Sequence, residues 1–249
     1  MPVYSAPRVS PWSLATMTST GGVHTAEDIL SFPGKCRTTS YDLRVKEFAQ
    51  SFPEAFERTL TASPESPFTF VKMVNDIVLI GLNSVARNSG VRNPLGSNGW
   101  VDDQQAGQFD RLAGSPLFAG KRKIVLIHHY FCKLHRNGLG TSHTVWGTIE
   151  RQTMKLRGKK DLLKLFRKHG IDLVLHGHCH RTMTYIKKGI RFLNAGGSVR
   201  DERSLGLHVN LVHVTEKGIR VSVHIIPLEE GEEEHRVLGP LPKMMGQAA

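Results

Sequence analysis

The chain has 249 residues, 39% of them apolar and 22% charged, room for one large domain or two small ones with a substantial core, which excludes a disordered or collagen-like chain. Its 33 Lys and Arg against 22 Asp and Glu give a net charge of +11, which suits anionic partners (phosphates, nucleic acid, an acidic membrane surface) and says nothing of fold. Cys36, Cys132 and Cys179 are too few for a disulfide framework, and no apolar run approaches the roughly 18 residues of a membrane span, so the expectation is a soluble, cytoplasmic protein without a signal peptide.

In chain order, residues 1–66 are rich in Ser, Thr and Pro. They offer a strand at residues 2–6 and a helical pattern over 41–60. That pattern sets Leu43, Phe48, Phe52 and Phe56 along one face and is interrupted by Pro53. Residues 68–74 alternate as a strand, Asn75-Asp76 makes a turn, and Ile77-Val78-Leu79-Ile80 reads as a buried strand, so a hairpin feeds a sheet edge into the core. A helix is expected over 102–113 with Asp102 at its start, and a buried strand over 123–127. A helix over 159–169 carries Leu162, Leu163, Leu165 and Phe166 on one side and stops at Gly170. Another buried strand follows at 171–175. Strands at 183–186, 190–193, 206–214 and 219–226 then alternate with turns at Lys188-Gly189 and Lys217-Gly218. Helix-separated strands followed by a meander imply an α/β mixed sheet with helices packed outside it. An acidic run at 229–235 leads into a C-terminal tail.

The thirteen histidines matter for their placement. His128 and His129 end one buried strand; His176, His178 and His180 end the next. Loops at strand carboxyl ends are where open α/β sheets hold ligands, and imidazole suits Zn, Mn or Fe. A single strand-end histidine reads as a hydrogen-bonded polar residue. Two such ends carrying five histidines read as a ligand cluster. His24 and His143 read as exposed loop histidines.

Gly177-His178-Cys179-His180 after an apolar strand, preceded by Val125-Leu126-Ile127-His128-His129, resembles the calcineurin-like metallophosphoesterases. Ile80-Gly81-Leu82-Asn83-Ser84 resembles that family's strand into its middle loop, and Gly99-Trp100-Val101-Asp102 with Gln104-Gln105 the start of the next helix. Asn194-Ala195-Gly196-Gly197-Ser198 is similar to its Asn-x-Gly-Ser turn. The resemblance implies a four-layer α/β/β/α sandwich, incomplete on its N-terminal side. It also implies divalent ions of the Mn, Fe, Zn or Mg type, and hydrolysis of phosphomonoesters or phosphodiesters by a metal-activated hydroxide. Carried over, His128 and His178 ligate one ion and His180 the other. His129 orients the loop or touches substrate, and His176 supports the ligands from behind.

The chain departs from that pattern at its start. It contains no Asp-x-His, Gly-Asp or Asn-His. Residues 2–7 resemble the strand that enters Gly-Asn-His-Asp, but Arg8-Val9-Ser10-Pro11 follows, so Val9 and Ser10 stand where the family has its Asn and catalytic His. Two expectations result: a fragment or altered reading frame, or a diverged scaffold without catalysis that binds one metal or a phosphorylated partner. On the first, residues 1–66 are a disrupted N-terminal part, 67–228 the phosphoesterase core and 229–249 a tail. Without the bridging carboxylate two close ions are poorly compensated, whereas three histidines suffice for one. Lost strands leave a sheet edge unpaired and favour self-association.

Basic clusters at 121–123, 157–160, 164–168 and 187–188 fit a solvated face better than a nucleic-acid site, and no nucleic-acid-binding motif accompanies them. Arg181, next to His180, can contact a phosphate or a surface carboxylate. Cys179 is read as packing between two ligands.

Overall fold

The computed structural model describes residues 38–63, 66–86, 98–132, 155–177, 182–194, 206–215 and 217–227. The expected strand at 2–6, Val9, Ser10, His24, Cys36, His143, the turn residues 195–198 and the acidic run and tail lie outside them.

The architecture is mixed α/β. In chain order the described elements are α1 (Thr38–Ser51), α2 (Pro53–Phe56), β1 (Thr59–Ser63), β2 (Ser66–Val74), β3 (Ile77–Gly81), β4 (Gly99–Trp100) and α3 (Asp103–Ala113). They continue with β5 (Arg122–Leu126), β6 (Leu156–Arg157), α4 (Lys159–Lys168), β7 (Leu173–His176), β8 (Met183–Lys187), β9 (Ile190–Asn194), β10 (Gly206–Thr215) and β11 (Gly218–Pro227). Seven strands form one sheet in the order β1-β2-β3-β5-β7-β9-β8. β3, β5, β7 and β9 run parallel, which brings their carboxyl ends to one edge. β1, β2 and β8 are antiparallel to their neighbours.

Strand alternation divides the apolar residues between the two faces of this sheet. On one, Ile80, Val125, Val174 and Phe192 pack with Phe109 and Ala113 of α3 and Leu162, Leu163 and Phe166 of α4. Both helices cross over between parallel strands, so they share that face. On the other, Ile124, Leu173 and Leu193 meet Val212, Val214, Ile219 and Val221 of the β10–β11 hairpin. Phe68, Phe70 and Leu126 pack there against Val45 and Phe48 of α1 and Phe56 of α2. Each large apolar side chain removed from water stabilises the fold by roughly 2 kcal/mol.

The helices start and stop for local reasons. Asp102 accepts the Gln105 N–H at 2.7 Å and caps α3. Arg167 and Lys168 occupy the last turn of α4, where positive charge is favoured, and Gly170 turns the chain out at φ 62°.

Two expectations are corrected near the start. The helical pattern over 41–60 ends at Phe56, and Thr59–Ser63 is a strand paired with β2. Pro53 breaks the helix, Arg58 turns at φ 55°, and the β-branched Thr59 and Thr61 suit a pleated edge. Leu43 is 61% exposed instead of sharing the apolar face. At about 100° per residue it lies opposite Val45 and Phe48. The hairpin of β2 and β3 is as expected, except that β1 takes the outer position. Among the described residues no helix is long and apolar enough to cross a membrane.

Candidate functional site

The carboxyl ends of β3, β5 and β7 sit side by side, and the residues that follow them build the candidate site. Ile127 donates its N–H to the Leu175 carbonyl at 3.0 Å, and Leu82 donates to Leu126 at 2.9 Å, so parallel pairing runs past the strands themselves. One step further, the Gly177 N–H reaches the His128 carbonyl at 3.0 Å. His128 and His129 are both buried, their rings perpendicular with centroids 5.1 Å apart.

His129 is caged. Its Nδ1 lies 2.9 Å from the Ser84 hydroxyl, which also accepts the His129 backbone N–H at 3.2 Å. One hydroxyl thus meets both the ring and the backbone of His129. Gly99 closes the cage: a Cβ there would stand 2.4 Å from His129 Cγ. Beside it, the Asn83 backbone is gripped by Gln105 of α3, whose amide accepts the Asn83 N–H at 2.6 Å and donates to the Asn83 carbonyl at 2.9 Å. The Asn83 side chain donates to Tyr41 Oη at 2.8 Å, and Tyr41 donates to the Val85 carbonyl at 2.9 Å. α1 is thereby tied to the loop after β3.

His176 has both ring nitrogens engaged. Nδ1 is 3.3 Å from the Gly177 carbonyl and Nε2 is 2.8 Å from Tyr185 Oη. A carbonyl only accepts, so the proton sits on Nδ1 and Tyr185 donates to Nε2. Burial pushes this imidazole down to about 4, against the raising effects of Gly177 and Asn194, and His176 is neutral at pH 7. Next to it Cys132 is half-buried, and burial raises its thiol above the ordinary range.

Of the residues singled out in the sequence, His128, His129 and His176 converge at one edge of the sheet. His178, His180, Arg181 and Cys179 lie outside the described residues. Ser84 and Tyr185 were not assigned these supporting roles from the sequence. Strand alternation over 183–187 was the available signal for Tyr185, since it sets that aromatic hydroxyl on the same face as Phe192.

The donor set bears on which metal site fits. Among the described residues no group of three or more His, Cys, Asp or Glu comes together to hold an ion. The described residues directly after β3, β5 and β7 (82–86, 127–132 and 177) include no carboxylate. A pair of close divalent ions needs anionic ligands to offset their repulsion. These residues do not fit a two-metal centre.

No protein-family model matches the chain, and no curated protein matches it. Solved structures that resemble it include a protein described as a 5′-nucleotidase from Staphylococcus aureus, in complex with alpha-ketoglutarate. It is 17% identical, with a TM-score of 0.32, over 67% of this chain and 30% of that one. GAP50, the anchor in the inner membrane complex of Plasmodium, is 11% identical with a TM-score of 0.31, over 64% of this chain and 53% of that one. A single mutant of Vps29 from Entamoeba histolytica is 14% identical with a TM-score of 0.19, over 60% of this chain and 98% of that one. The chain thus spans about a third of the first of these and about half of the second. Likenesses at this level do not assign the chain to a family.

Proposed function

We propose that the chain is a calcineurin-like metallophosphoesterase scaffold that takes a phosphomonoester or phosphodiester and holds one divalent ion of the Mn, Fe, Zn or Mg type through His128, His178 and His180. The observation that carries this reading is the hydrogen bond from the Gly177 N–H to the His128 carbonyl, 3.0 Å long. It ties the strand end that bears His128 to the residue immediately before His178. The other flank of that loop, at Met183, pairs with Asn194 at the same edge of the sheet. Arg181, in the same loop, offers a guanidinium to phosphate oxygens. His129, held by Ser84, orients the backbone after β5.

A divalent ion bound there supplies Lewis acidity to the phosphoryl oxygens and acidifies an attacking water. The rest of the chemistry falls to the chain's own side chains, and no described residue stands ready as general acid for the leaving group. The fold that goes with this reading is the four-layer sandwich, in which the β10–β11 hairpin is the described part of the second sheet and residues 67–228 form the core. Self-association through an unpaired sheet edge belongs to the same reading.

A second reading, a scaffold that binds a metal or a phosphorylated partner without turnover, is favoured by the lack of carboxylates among the described residues after β3, β5 and β7. One experiment separates the two: hydrolysis of an aryl phosphodiester and an aryl monoester with added Mn²⁺, for the wild type beside His178→Ala. Turnover lost in the variant supports the enzyme. Folded protein that binds Mn²⁺ through His178 but turns over neither substrate leaves the scaffold, and no Mn²⁺ uptake by the wild type overturns the enzyme and the metal-binding form of the scaffold.

A further inference from the structure

We infer that the outward face of the β10–β11 hairpin binds an oxyanion of the phosphate class among Arg220, Ser222, His213 and His224. The two strands pair in unbroken register from Gly206 opposite Pro227 to Thr215 opposite Gly218. Val212, Val214, Ile219 and Val221 turn toward the seven-stranded sheet and pack on Ile124, Leu173 and Leu193. Alternation then sets His213, Arg220, Ser222 and His224 together on the face turned away from that sheet. The inference is therefore independent of how the strand-end histidines are read. Arg191 of β9 donates to the Ile219 carbonyl at 2.7 Å and fixes the hairpin next to Arg220.

Two imidazoles from two strands converge on one oxygen. The Ser222 hydroxyl lies 3.4 Å from His213 Nε2 and 3.3 Å from His224 Nε2. Arg220 stands directly opposite His213, and His213, Arg220 and His224 are all exposed. None of the described hairpin residues, 206–215 and 217–227, is Asp or Glu. A face that was merely solvated would intersperse acids with these bases.

The spacing decides between a cation and an anion. His224 pairs with Val209, so it sits four residues along the ribbon from His213. At a strand rise of about 3.4 Å per residue their backbones are offset by about 13 Å, and the rings lean in from opposite ends. A divalent ion needs each nitrogen at about 2.0–2.1 Å, which rings anchored so far apart do not reach. A tetrahedral oxyanion carries several oxygens and takes donors on opposite sides, each at about 2.7–2.9 Å. Arg220 adds a permanent charge and a planar fork that matches phosphate. Leu211, opposite Ser222, and Val209, opposite His224, are half-buried and give the same face an apolar margin.

The test is an NMR titration of the whole chain at pH 7, read at the ring signals of His213 and His224. His213→Asn and His224→Asn assign those two signals. Inorganic phosphate and phenyl phosphate are the probes, with sodium chloride at matched ionic strength as the control. Saturable shifts at both rings with a phosphate probe, absent with chloride, are expected. Arg220→Gln is expected to weaken the binding by about tenfold or more, because it removes a hydrogen bond to a charged group. Tighter binding of inorganic phosphate identifies the free ion as the ligand. Tighter binding of phenyl phosphate identifies a phosphoryl group on a larger molecule that also covers Leu211 and Val209. Shifts that do not saturate or that chloride reproduces overturn the inference, and saturation unchanged in Arg220→Gln leaves an adventitious ion only, which overturns it equally.

Discussion

The Ser84 hydroxyl binds His129 twice, at the ring Nδ1 over 2.9 Å and at the backbone N–H over 3.2 Å. Ser84 follows β3 and His129 follows β5, so a single hydroxyl couples two neighbouring strand ends at a fully buried position. Ser84→Ala removes both of these buried hydrogen bonds, which costs about 1–3 kcal/mol. Chemical denaturation is expected to show a lower midpoint with an unchanged slope.

Gly99 and Gly107 make a matched pair. A Cβ on Gly99 would collide with the His129 ring, which cannot turn away without breaking its bond to Ser84. Gly107 lies in α3, and a Cβ there meets nothing within 4 Å. Gly99→Ala is expected to destabilise by about 1–3 kcal/mol through overpacking. Gly107→Ala is expected to stabilise by about 0.5–1 kcal/mol, because alanine is the better helix former. Opposite shifts of melting temperature check both.

His176 gives the fold a pH dependence of known sign. Its value in the folded chain is lowered to about 4 from an ordinary 6.5, so the unfolded chain takes up the proton first as pH falls. Its contribution is complete above about pH 6.5 and is lost between there and about pH 4, with a ceiling of about 3 kcal/mol. His176→Phe removes a titrating group and is expected to flatten the stability profile in that window. Denaturation midpoints at pH 7 and pH 4.5 for the two proteins measure it.

Asp110 of α3 receives Lys168 at 2.7 Å and His169 at 2.6 Å from the end of α4. The hydrogen bond from Lys168, followed by that from His169, holds its carboxyl below the ordinary range. A lowered carboxylate stabilises the fold above its unfolded value of 3.8 and loses that contribution in stronger acid. The group is partly exposed and screened, so Asp110→Asn is expected to cost about 1 kcal/mol or less at pH 7. The difference from wild type should vanish in strong acid, which a melting series across pH reads directly.

Much of the sheet was legible before any coordinates. Ile77-Val78-Leu79-Ile80, residues 123–127 and residues 171–175 are short apolar runs bounded by polar turns, and each of the three overlaps a strand of the central sheet, with ends at most two residues apart. α4 was equally clear, since Leu162, Leu163 and Phe166 recur at helical spacing between lysines. The first sixty residues misled where a helical pattern ran on across Pro53. Only pairing with Lys72, Val71 and Phe70 makes a strand of Thr59, Leu60 and Thr61.

By itself the sequence determined that two apolar strands end in histidines, because periodicity and composition are local properties that a chain carries with it. That the two ends are neighbours, that Ser84 rather than a ligand role claims His129 Nδ1, and that Tyr185 and Gly177 occupy both nitrogens of His176 were decided by tertiary structure. Those partners lie 45 residues from His129 and 9 and 1 from His176. Strand order, which no local pattern encodes, brings the distant ones together, and the burial that follows obliges each buried polar atom to find them.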